Sequence, residues 1–260
     1  MTRKGKRIPL VFMTIAAGFM LASCSATQAQ KAGYDPEANI QDPMEGYNRA
    51  VFSFNDSLDR AVLEPVARGY HDVVPHPARM SVRNFLRNLR SPINAVNQLL
   101  QGDVEGFASD VSRAAINTTI GIGGLFDVAK ETGLEYEYED FGQTMAVWGI
   151  DHGPYMVLPV MGPSSLRDTT GLVVDTLADP VRLYLYNTDN EGWYYARAVV
   201  TSIDKREELL GVIDDLRRNS YDYYAAMRSV YYQKRHAMVN DEDPNSVGTA
   251  SIPNYDKGEE

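Results

Sequence analysis

Residues 42–61 read DPMEGYNRAVFSFNDSLDRA. Asp42 before Pro43, with Glu45 at the third position, is the pattern of a helix start: a capping acid, a ring fixed at helical φ, and a carboxylate near free N–H groups. Met44, Tyr47, Val51, Phe54, Leu58 and Ala61 then recur at spacings of three and four. This predicts an amphipathic helix that buries those side chains as a stripe and is stopped by Pro65. Asn48, Asn55 and Asp59 lie on a different side and read as an ordinary solvated face.

The same period continues along the chain. A second helix is expected from about Val82, with Phe85, Leu86, Leu89, Ile93, Val96 and Leu100 on one face and Pro92 as a kink or restart. Asp103 can cap a third, carrying Val104, Phe107 and Val111, before the glycine-rich apolar loop Thr119–Val128. A short helical segment, Gln143 to Trp148, follows the acidic patch Glu135–Asp140. Ser164 or Ser165 caps the next helix, which bears Leu172, Val173 and Leu177 and ends at Pro180. Beyond a tyrosine-rich region (Tyr184, Tyr186, Tyr194, Tyr195), one long helix is expected over roughly Ile203 to Met238. Strand-like alternation is scarce, so the expected class is all-α with irregular apolar Gly/Pro-rich loops and no internal repeat.

The exception is Trp148–Pro163, WGIDHGPYMVLPVMGP, whose apolar run Tyr155–Met161 lies between Gly153-Pro154 and Gly162-Pro163 and is broken by Pro159. Proline cannot donate to a ladder, which argues against a central strand, and the Gly-Pro pairs make turning ends. Two readings stand: a buried helix–loop segment, or a membrane-facing hairpin hinged at Gly149 and Gly153. In the second, Gly149, Gly153, Pro154, Tyr155, Pro159 and Gly162 are the candidate site residues.

The first residues speak for the compartment. Arg3, Lys4, Lys6 and Arg7 precede an apolar stretch, Leu10 to Leu21, and Leu21-Ala22-Ser23 leads into the only cysteine, Cys24. This is the layout of a secretory signal over residues 1–23, too short to span a bilayer. Leu-Ala-Ser-Cys is similar to the lipobox of bacterial lipoproteins, in which the cysteine carries the lipid, and several acyl chains on Cys24 would make attachment stable. Ser25 in place of an aspartate points to the outer membrane. Residues 24–41 read as a flexible linker, 42–238 as the helical domain, and 239–260 as an acidic disordered tail.

Cleavage before Cys24 removes four cations and leaves 21 basic against 35 acidic residues, a net of −14. Such a chain is poorly suited to nucleic acid. No apolar run after Cys24 is long enough for a transmembrane helix.

Motifs for chemistry fail on inspection. Gly162-Pro163-Ser164-Ser165 lacks the trailing glycine of a nucleophile elbow, and its serines suit a helix start. His71 and His76 flank prolines that forbid a one-face zinc pair, and His152 and His236 have no evident partner, so no metal site is expected. Asp140-Phe141-Gly142 lacks the loops of a kinase, and Gly121-Ile122-Gly123-Gly124 is no dinucleotide fingerprint. The expectation is a non-enzyme without a cofactor.

The helix start Asp42-Pro43-Met44-Glu45-Gly46-Tyr47-Asn48-Arg49, together with Pro65-Val66-Ala67-Arg68-Gly69-Tyr70, Asn97-Gln98-Leu99-Leu100-Gln101-Gly102, Asp140-Phe141-Gly142-Gln143-Thr144 and Gly153-Pro154-Tyr155, resembles the MlaA (VacJ) family of outer-membrane lipoproteins. The resemblance implies a single ring-like helical domain embedded in the inner leaflet of the outer membrane beside a trimeric porin. It also implies removal of mislocalised phospholipid from the outer leaflet and transfer to a periplasmic phospholipid-binding carrier, maintaining lipid asymmetry. A porin-binding scaffold without transport and a tethered phospholipase are the rival readings.

Overall fold

The computed structural model describes residues 42–241, which fall in one compact unit. The expected signal segment, Cys24, the linker and nearly all of the acidic tail lie outside the described residues. Helix α1 (Glu45–Leu58) forms where the period places it, but most of the expected stripe faces outward: Met44, Tyr47, Phe54 and Ala61 are exposed, and only Val51, against the core, and Leu58 are half-buried. Tyr47 and Phe54 are 55% and 56% exposed, while Asn48 is fully buried. A period says only that two faces differ; what surrounds the molecule decides which turns in. Asp42 does not cap α1 either. Its carboxylate accepts from Asn48 Nδ2 at 2.7 Å, Arg228 at 2.9 Å and the Tyr224 hydroxyl.

Pro65 does not stop the chain. Helix α1 passes through a π turn, Asp59–Leu63, into α2 (Glu64–Val73), and Pro65 sits in the first turn of α2. The wide π turn already interrupts the ordinary ladder there, so the missing donor costs little. Helix α3 (His76–Gln101) begins at Pro75 rather than near Val82, runs unbroken through Pro92, and closes on Gly102 at φ +86°. It packs along α4 (Val104–Thr119), whose Asp103 cap accepts from the Gly106 N–H at 2.9 Å.

The glycine-rich loop leads to the short α5 (Val128–Glu131) and α6 (Phe141–Val147), the latter capped by Asp140. Strands β1 (Tyr155–Leu158) and β2 (Gly162–Ser165) pair antiparallel from Tyr155↔Ser165 to Leu158↔Gly162. Pro159 lies in the turn between them and is asked for no ladder bond. Ser165 caps α7 (Leu166–Ala178), and Asp179 caps α8 (Pro180–Asn187).

The single long helix expected over 203–238 is three helices: α9 (Glu191–Glu208), α10 (Leu210–Asn219) and α11 (Tyr223–Val239). The chain turns extended at Ser220, and Asp222 restarts it by accepting from the Ala225 N–H. Apolar period alone could not see that break; the cap-forming run Asn219-Ser220-Tyr221-Asp222 could.

The apolar core is small: Tyr155, Val157, Tyr224 and Tyr232, with Val51, Phe52 and Tyr231 against it. Much of the remaining interior is polar, with Asn94, Asn97, Gln143, Thr144 and Arg206 all buried. Large apolar side chains face outward on many elements, among them Val96, Val111, Ile120, Val173, Leu177 and Trp193. Among the described residues no helix is long and apolar enough to cross a membrane.

Candidate functional site

The hairpin is bolted to α1 through its free edge. One edge of β1 pairs with β2; the other meets two asparagine side chains. Asn48 Nδ2 donates to the Tyr155 carbonyl at 3.1 Å, and its Oδ1 accepts from the Val157 N–H at 2.9 Å. Asn55 repeats the arrangement two turns along, with Nδ2 to the Leu158 carbonyl at 2.9 Å and Oδ1 to the Val160 N–H at 2.7 Å. A carboxamide offers one acceptor and a donor, as a peptide does, so the pair stands in for a neighbouring strand. A spacing of seven residues puts both on one helix face.

The expected site residues are brought together in part. Gly153, Pro154, Tyr155, Pro159 and Gly162 all belong to the hairpin or its entry, and Gly149 lies on the connection from α6. Gly149, Gly153 and Gly162 have φ of +84°, +66° and +90°, which accounts for glycine at each. Tyr155 is fully buried, its ring within 6.2 Å of those of Tyr224, Tyr231 and Tyr232. Only the tip, with Val160 and Met161, projects apolar side chains outward.

A charged seam joins the N-terminal helices to α9 and α10. Arg217 reaches Asp56 and Asp59 at 2.7 Å and Glu64 at 2.6 Å, and buried Arg206 reaches Asp59 at 2.7 Å. Burial pushes the Asp59 carboxyl up, but hydrogen bonds from Arg206 and Arg217 outweigh it and hold the group below the usual range. On α3, Arg79 and Arg83 pair with Glu207, and Arg83 with Asp204.

Farther along the same helix, Arg87 lies 4.8 Å from the Tyr136 ring centroid and Arg90 4.2 Å from that of Tyr138. Lys205 approaches the Tyr138 ring from α9 at 5.5 Å. Burial, then the charges of Arg90 and Lys234, lower the Lys205 pKa. Opposite in sign, Asp110 is pushed up to about 7 and Glu139 to about 8, in both cases chiefly by burial.

Neither asparagine of the bolt was expected to be buried, and the arginine row was not read from the sequence. Both leave a trace: asparagines seven apart inside an apolar-striped helix, and Arg79, Arg83, Arg87 and Arg90 at spacings of four, four and three.

The catalytic look-alikes resolve into structure. Ser165 Oγ accepts from the Asp168 N–H at 3.1 Å and Ser164 Oγ pairs with Thr169 Oγ1 at 2.9 Å. His152 packs edge-on against Tyr232. Among the described residues no cluster of His, Cys, Asp and Glu could hold a metal.

The family model for the MlaA lipoprotein matches residues 40–238. The chain belongs to the MlaA lipoprotein family. An uncharacterized protein of Rickettsia felis is 39% identical over 201 residues, 77% of this chain and 78% of its own length. The intermembrane phospholipid transport system lipoprotein MlaA of Escherichia coli K12 is 33% identical over 237 residues, 87% of this chain and 90% of its own. A chain solved for the "structural basis for maintenance of bacterial outer membrane lipid asymmetry" superposes with a TM-score of 0.68 at 38% identity, covering 77% of this chain and 100% of that one. The family-model match extends across the hairpin and the charged seam.

Proposed function

We propose that this MlaA-family chain removes mislocalised phospholipid from the outer leaflet of a Gram-negative outer membrane and passes it to a periplasmic phospholipid-binding carrier, maintaining lipid asymmetry. Cys24 carries the lipid anchor on the periplasmic side, a trimeric porin holds the protein in place, and the protein transports rather than hydrolyses. The observation that carries this reading is the inversion of α1. Tyr47 and Phe54 turn outward while Asn48, Asn55 and Asp59 turn inward. An exposed apolar surface of this extent suits burial in the acyl region of one leaflet, where no spanning helix is needed.

A phospholipid has a charged head and two tails, so its path needs polar groups beside apolar walls. Arg87, Arg90 and Lys205, arrayed over Tyr136 and Tyr138, supply cationic and aromatic groups for a phosphodiester head. The hairpin borders that path and turns on Gly149 and Gly153.

Outer-leaflet phospholipid in cells lacking the chain tests the function, with the double variant Gly149→Ala/Gly153→Ala testing the hinge. Loss of the protein should raise outer-leaflet phospholipid, and the double variant should do so while still capturing porin. Unchanged asymmetry on deletion would overturn transport; full activity of the glycine variant would overturn the hinge. Fatty-acid release from phospholipid by the purified protein would favour an enzyme instead.

A further inference from the structure

The two asparagine bolts are not equivalent. Asn48 is fully buried, and both of its bonds to β1 lie in the interior beside the Tyr155 core. Asn55 holds the last residue of β1 and the first residue past Pro159, and its bond to the Val160 N–H lies at the surface. Val160 is also strained: its φ is +68°. A β-branched side chain in the left-handed region is a true outlier, tolerated only where the surroundings hold it. Its N–H is tied to Asn55, while its side chain is 64% exposed. Gly162 at φ +90° lies just beyond the tip, with no atom within 4 Å of where a Cβ would stand. The turn therefore has room to relax once Asn55 lets go.

We propose that Asn55 is a latch: a positioning residue whose side chain holds the strained Val160 turn and so fixes where the apolar tip, Val160 and Met161, stands at the border of the lipid passage. Asn48 is the permanent anchor at the root, and Asn55 is the contact that opens. The hairpin is thus released from its tip inward, with the Tyr155 and Val157 core keeping the root in place. The latch rests on the reading of the hairpin as the wall of a lipid path.

The test uses the full lipidated chain in nanodiscs for hydrogen exchange and the same variants in cells for outer-leaflet phospholipid. Asn55→Ala should speed exchange at the Val160 amide at least about 10-fold, leave the Val157 amide and Tm near wild type, and slow phospholipid removal at least about threefold. Adding Val160→Gly, which removes the strain, should return removal toward wild type. Asn48→Ala should instead speed exchange along the whole of β1 and lower Tm.

Unchanged Val160 exchange in Asn55→Ala overturns the latch, as does faster exchange with wild-type removal. The cause of failure is separable. If Gly149→Ala/Gly153→Ala slows removal and Asn55→Ala does not, only the latch fails. If neither slows it, the passage reading beneath both fails.

Discussion

The hairpin and the α1–α2 seam are both held against polar side chains of the same inward face, yet by opposite means. The hairpin hangs on two neutral amides, Asn48 and Asn55, making four hydrogen bonds to backbone. The seam hangs on Asp56, Asp59 and Glu64 against Arg206 and Arg217. Neutral bonds do not titrate and are little screened by salt; ion pairs respond to both. One helix thus carries a charged weld and a neutral joint.

The largest effect should come from breaking the weld. Arg206→Ala strands the Asp59 carboxylate against a single arginine in a buried site and should cost about 3 kcal/mol, read as a marked fall in Tm. Asn48→Ala orphans the buried Val157 N–H and Tyr155 carbonyl, and should cost about 2 kcal/mol by denaturant unfolding. If the two losses were equally sensitive to 1 M salt, the contrast between weld and joint would collapse.

A pH series sharpens it. Against an upward push from burial, arginine partners hold the Asp59 and Glu64 carboxyls low, and the His71 hydrogen bond together with Arg79 and Arg83 does the same for Glu207. Their contribution is full above the ordinary carboxylate range near pH 4 and is lost as pH falls through their folded values. Asp110 and Glu139 run the other way. With folded values raised to about 7 and about 8, they bind protons more tightly in the folded state. That stability is full below about pH 4 and lost as pH rises toward 7 to 8. Asp110→Asn should therefore raise Tm at pH 7.5, with the gain shrinking toward pH 4; a gain independent of pH would contradict it. The smallest effect belongs to Arg218→Ala, whose pair with Asp215 is exposed on both sides: less than about 0.5 kcal/mol.

The sequence made some of this legible and concealed the rest for a physical reason. Caps at Asp103 and Ser165 mark helix starts by local bonding, which sequence encodes directly; Asp140, Asp179 and the glycine after α3 work the same way but were not expected in that role. The class, all-α without a spanning helix, followed from periodicity. The sense of the stripe did not, because Met44, Tyr47 and Phe54 have the same spacing whether they meet a core or surround themselves with lipid. Read as a core stripe, that face leaves Asn48 and Asn55 solvated, so the hairpin's partner is hidden even though Gly149, Gly153 and the break at Pro159 stand out. The break between α10 and α11 was masked because the apolar spacing resumes in phase after Asp222.

The most direct test of the inverted helix is a spin label at single cysteines replacing Phe54 or Val66 outside and Asp56 inside, in the lipidated chain reconstituted in bilayer nanodiscs. Cys24 is the only natural cysteine, so with the proposed acylation of Cys24 each added thiol is unique. Labels at residues 54 and 66 should collide with oxygen dissolved in the acyl region and be shielded from a water-soluble nickel relaxant, while the label at 56 should show the reverse. Nickel access at 54 and 66 equal to that at 56 would contradict a lipid-facing stripe, and with it the account of this chain as a conduit for phospholipid.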